Sequence, residues 1–154
     1  MRFFFLNLTA TTLLLTACSS APAEQPTETT SPPAQPFVFV SDPAMKELMA
    51  NKVELLTETL WNAGLEETAP KKDSDWKKLE DAAIGLVDAG KSMLAAPLAK
   101  DQGKWREETE KFIGFSEVAL KAVKDKNVTA LTDTANKMTE ETCTSCHKLY
   151  YTGP

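Results

Sequence analysis

Residues 41–64 read SDPAMKELMANKVELLTETLWNAG, and this stretch decides the fold. Its apolar side chains Met45, Leu48, Met49, Val53, Leu56, Leu60 and Ala63 recur at steps of three and four. That spacing gathers them into one stripe along a 3.6-residue helix and leaves the charged groups on the opposite face. Ser41 or Asp42 offers the side-chain oxygen that caps a helix start, and Pro43 suits the first turn, where its missing N–H is no loss. Gly64 marks the stop. An amphipathic helix from about Asp42 to Ala63 is the reading.

Three more stretches repeat the pattern. Ser74 to Leu94 carries Trp76, Leu79, Ala83, Leu86 or Val87, Gly90 and Leu94, and Pro97 ends it. Lys104 to Lys124 carries Trp105, Phe112, Phe115, Ala119 and Val123 in register. Asn127 caps a last helix with Val128, Leu131, Ala135 and Met138, then Cys143, Cys146 and Leu149 or Tyr150. No window alternates with period two, so a sheet is not expected. Four helices of roughly 20 residues, each ~30 Å long and joined by short loops, predict an all-α antiparallel four-helix bundle with up-down-up-down topology. Gly85 and Gly90 each weaken the second helix by about 1 kcal/mol relative to Ala. Either they are tolerated there or they leave room for something bulky beside the backbone. Trp61, Trp76, Trp105, Phe112 and Phe115 read as packing side chains.

The amino terminus reads as an address. After Met1-Arg2 comes an apolar run from Phe3 to Leu15, too short to span a ~30 Å hydrocarbon core and suited to a secretory signal. It ends Leu15-Thr16-Ala17-Cys18, a match to the bacterial lipoprotein cleavage box, with small residues directly before the Cys. Residues 1–17 are therefore predicted to be a lipoprotein signal peptide, and Cys18 the lipidated first residue of the mature chain. Several acyl chains anchor stably where one is marginal. Ser19 in place of Asp points to the outer membrane of a Gram-negative bacterium, with the domain facing the periplasm. Ser19 to Pro36 holds five prolines and no Gly, so it cannot bury a core. As an extended linker rising ~3.1 Å per residue it reaches at most ~55 Å. Residues 18–41 are thus linker and 42–154 the domain. Phe37-Val38-Phe39-Val40 either covers an apolar seam of the domain or packs against a partner.

The whole chain has 154 residues, 42% of them apolar, which suits one packed domain. Acidic residues outnumber basic ones 22 to 17, for a net charge of −5, and Arg2 is the sole charge in the signal segment. A nucleic-acid binder needs a basic face, so that class is set aside. The chain has three Cys and one His.

Two of those Cys and the His stand together as Cys143-Thr144-Ser145-Cys146-His147. Cys-x-x-Cys-His is the pattern of covalent c-type haem attachment. On a helix, residues three and four apart share a face. Two thiols can then add to the two haem vinyl groups while the imidazole reaches iron as an axial ligand. The competing readings are weaker. A thioredoxin-like dithiol opens a helix in a βαβ setting. A disulfide across three helical residues has poor geometry. Zinc lacks a fourth ligand once Cys18 carries lipid.

A haem motif at the end of the last of four helices resembles the cytochrome c′ family, over roughly Asp42 to Tyr151. Cys143, Cys146, His147 and Tyr150 carry the resemblance, together with Met45-Lys46-Glu47-Leu48-Met49 leading to Leu60-Trp61. It implies one covalent haem c, His147 as proximal ligand, and the first helix across the haem from it. There Met49, or less favourably Met45, could supply a thioether ligand or line the distal pocket; both also read as ordinary core methionines. With Met ligation the expected function is one-electron transfer between periplasmic redox partners. The alternative is a five-coordinate protein that binds NO or CO. Two departures set this chain apart from NO handling: Tyr151 stands four after the His where many members carry a base, and no Arg precedes the distal position by one turn. The resemblance also allows a homodimer. No catalytic base, nucleophile or substrate cleft is legible, so an enzyme is not expected.

Overall fold

The structure, a computed structural model, describes residues 42–151. The signal peptide 1–17, Cys18, the 18–41 linker with Phe37–Val40, and residues 152–154 lie outside the described residues.

Helix α1 starts where Asp42 takes an extended backbone and its carboxylate accepts hydrogen bonds from the Ala44 and Met45 N–H groups, at 3.0 and 3.3 Å. Pro43 occupies the first turn. Three runs, Pro43–Leu48, Met49–Val53 and Glu54–Asn62, follow without a break and form α1. The middle run is a π turn, in which the Glu54 N–H bonds back five residues to the Met49 carbonyl. Helix α2 is Asp73–Met93, and α3 is Lys104–Lys124. Helix α4 combines Val128–Met138, a second π turn at Thr139–Cys143, and Thr144–Tyr150. Asn127 caps it, accepting from the Ala130 N–H at 3.0 Å. Among the described residues the chain is all-helical, four helices and no strand, an arrangement compatible with a helical bundle. No described helix is long and apolar enough to cross a membrane.

One core joins all four helices. Leu60 of α1, Leu86 of α2, Ala119 of α3 and Leu131 and Met138 of α4 are wholly buried. Burying each larger apolar side chain contributes about 1.5–3 kcal/mol. Packing explains Gly90 of α2, while Gly85 faces only the movable end of a side chain. A Cβ on Gly85 would stand 2.6 Å from Leu56 Cδ1 of α1, and one on Gly90 would press into Ile113 Cγ1 of α3. The room beside the backbone is filled by neighbouring helices.

The helix pairings locate the site. Glu54–Asn62 packs on Val128–Met138, joining α1 to α4. Past the two π turns the helices take different neighbours. Met49–Val53 lies on α2, whereas Thr139–Cys143 and Thr144–Tyr150 lie on α3. A π turn inserts one extra residue and re-aims a helix, and such turns gather at functional sites. Here both stand where α1 and α4 part.

Candidate functional site

The motif closes α4. Thr139, Thr142 and Thr144 bond through their hydroxyls to the carbonyls of Ala135, Met138 and Thr139, at 3.1, 2.7 and 3.0 Å. Threonine back-bonds of this kind compete with the regular ladder and bend a helix. The widened turn brings Cys143 to the cleft wall while Thr142, one residue earlier, is 2% exposed. Cys146 and His147 follow at helical spacing and line the same cleft, whose volume is 660 Å³.

Both thiols are free and half-buried. Burial pushes the Cys143 thiol above its ordinary pKa. Cys146 is pushed up to about 11, by burial first and then by the Glu108 carboxylate and Cys143. Neither is poised as a thiolate, the state a dithiol redox centre needs. His147 is exposed, and its ring packs against Tyr151 with centroids 5.2 Å apart and planes tilted by 34°.

Helix α1 provides the other wall through Met49, Val53, Thr57 and Trp61. Met49 thus shares the cleft with His147, whereas Met45 packs on the core and does not line it. Of the predicted packing aromatics, Trp105 and Phe112 are buried, Trp76 and Phe115 are half-buried on the core, and Trp61 stands 39% exposed at the cleft. Met93 of α2 and Glu108, Thr109 and Phe112 of α3 complete the floor.

No family model, curated protein or solved structure matches this chain. The site is read from its own chemistry.

That chemistry fits a sulfur-attached porphyrin. Two free thiols and an imidazole share a face beside a large cleft bounded by Met49, Val53, Met93 and Phe112. Among the described residues no group of three or more His, Cys, Asp or Glu is placed to hold a metal ion.

Glu108 escaped the sequence reading. Its side chain is 1% exposed, with Lys104 Nζ at 2.8 Å from Oε1 and Lys111 Nζ at 3.5 Å. Burial pushes its pKa up, but Lys104, Lys111 and the Ser145 hydroxyl outweigh burial and hold the carboxyl below the ordinary Glu value. The signal was present: Glu108 falls on the stripe three after Trp105 and four before Phe112. Thr57 is similar, 7% exposed on the α1 stripe with its hydroxyl unpartnered.

Proposed function

We propose that this protein is a monohaem c-type cytochrome that passes single electrons between periplasmic partners. On this reading the helices form an antiparallel up-down-up-down bundle, Cys143 and Cys146 would hold haem c through thioethers, and His147 would ligate its iron. One observation carries the reading: both free thiols and the imidazole of the Cys-x-x-Cys-His motif line the cleft at which α1 and α4 part. When bound, the haem supplies a one-electron couple at iron.

The chain's own residues do the rest. Thioethers at Cys143 and Cys146 would keep the group from being lost, and the Tyr151 ring packs on the His147 ring. Val53, Met93 and Phe112 exclude water from the floor. Met49 would be the second iron ligand, its wall position setting it ahead of Met45. No proton donor, nucleophile or substrate is assigned, and an enzymatic role is not proposed. Lipidated Cys18 would anchor the domain to the outer membrane through the Pro-rich linker.

The test is expression with an export-coupled haem lyase, followed by pyridine haemochrome analysis. Covalent haem is the expected result. Colourless, correctly processed protein would leave only a tethered helical lipoprotein. A gas-binding role is the second reading, favoured by the unpartnered Thr57 hydroxyl in the cleft wall, which could donate to a bound diatomic. The weak far-red band of a thioether-ligated ferric haem supports electron transfer; ready CO binding to the ferrous form supports the alternative.

A further inference from the structure

We propose that Glu108 is a fixed negative charge that lowers the reduction potential of the haem site, with Lys104 and Lys111 paired to it from the water boundary. The proposal rests on the haem reading and deepens it.

A carboxylate with 1% of its side chain exposed has no place on an apolar stripe unless its charge is kept by partners. Lys104, four residues before, and Lys111, three after, bracket it at 2.8 and 3.5 Å. Both lysines also reach Glu107 on the outer side, at 2.9 and 3.0 Å, and each is 46% exposed. The cations therefore stand at the water boundary and the anion stands inside.

That asymmetry decides the sign. Coulomb attraction is screened strongly through water and weakly through a packed interior. Seen from the cleft, Glu108 acts through protein and the lysines act through the solvent edge, so the anion outweighs its two cations there; Glu54 and Glu58 also line the cleft but are exposed and screened by water. The carboxylate lines the same cleft as Cys143, Cys146 and His147. Its charge also acts on Cys146, within the motif. Uptake of one electron lowers the charge of the iron site by one. A nearby anion stabilises the more positive oxidised form, and the potential falls.

A purely structural role would have Glu108 serve only to pin the surface lysines of α3. The two roles separate in the holoprotein by potentiometric titration. Glu108→Gln should move the midpoint to a more positive potential, with the haemochrome content and the positions of the absorption bands unchanged. Lys104→Met and Lys111→Met each leave one lysine to keep the carboxylate charged while removing a compensating cation, so each should move the midpoint the other way. If Glu108→Gln does not fold, Glu108→Met, which suits the apolar stripe and also removes the charge, should give the same positive shift. Midpoints that stay at the wild-type value, or shift with opposite sign, overturn the proposal while the haem reading stands. Wild-type protein without haemochrome overturns that reading and the proposal with it.

Discussion

The Tyr150 hydroxyl donates to Asp101 Oδ2 at 2.7 Å, tying the last turn of α4 to the loop that precedes α3. Asp101 does more than accept this bond. Its Oδ1 also takes the N–H groups of Gly103 and Trp105, at 2.8 and 3.1 Å, and so caps the start of α3. Trp105 in turn donates its indole N–H to the Met93 carbonyl at 2.8 Å and meets the Tyr150 ring edge-on, centroids 5.0 Å apart. One residue earlier, Lys100 binds Asp42 at 2.7 Å, where α1 begins. Two consecutive loop residues thus clip the ends of the helices that flank the cleft.

Removing the hydroxyl should be felt in stability. A hydrogen bond to a charged acceptor contributes about 1.5–3 kcal/mol. Tyr150→Phe is expected to lose about that much in urea unfolding, since the ring keeps its packing on Trp105. Asp101→Ala should lose more, because α3 is uncapped as well. An equal loss in the two variants would mean that the cap contributes nothing.

The two glycines of α2 should respond oppositely to Ala. Helix propensity favours Ala by about 1 kcal/mol at both. At Gly85 the obstacle is Leu56 Cδ1, the free end of a half-buried side chain that can turn aside. Gly85→Ala should therefore be neutral or stabilising. At Gly90 the obstacle is Ile113 Cγ1, with Phe112 Cδ1 at 3.1 Å behind it. Overpacking of this kind costs about 1–3 kcal/mol, and Gly90→Ala should lower the thermal midpoint. A higher midpoint for Gly90→Ala would show that α2 and α3 separate easily.

The methionines and the histidine can be told apart by ligand binding. Met49→Ala should open the ferrous site to CO and abolish the far-red ferric band, while Met45→Ala leaves both unchanged. His147→Ala should keep haem attached through Cys143 and Cys146 but shift its spectrum. Loss of attachment in His147→Ala would show that the imidazole is needed for haem insertion and not only as ligand.

Acid sensitivity has a defined sign. Lys100 beside Asp42 holds its carboxyl below the ordinary value, opposed by desolvation and helped by the N–H groups of Met45 and Ala44. Lys126 does the same for Asp73. A carboxyl with a lower pKa folded than unfolded adds stability above its unfolded pKa of about 3.9, and that stability is lost as pH falls through the folded value. The urea midpoint should fall below about pH 4, and Lys100→Met should make the fall shallower. An identical slope would place the acid-sensitive carboxylates elsewhere.

The anchor is tested separately. Cys18→Ala should release holoprotein into the soluble periplasmic fraction. Continued sedimentation with membranes would mean that something other than acyl chains on Cys18 holds the domain.

Much of the fold could be read from residue order because amphipathic helices advertise themselves. The predicted segments end within about a residue of the observed helices, and Asn127 caps α4 as its side chain promised. The π turns were harder. One clue lay in the step of five from Met138 to Cys143, which an α-helical stripe does not contain. The other, at Met49–Val53, left no trace, since a step of four suits either geometry.

Local chemistry, written in adjacent residues, therefore determined the helices, their caps and the Cys143-Cys146-His147 face, because each depends on neighbours three or four positions away. Only the tertiary structure decided that Met49 rather than Met45 lines the cleft, that Leu56 and Ile113 fill the space beside Gly85 and Gly90, and that Glu108 points inward between Lys104 and Lys111. Those facts depend on how far α1 and α4 part and on how the helices are turned about their axes. Such distances arise between residues remote in sequence, and no spacing along the chain encodes them.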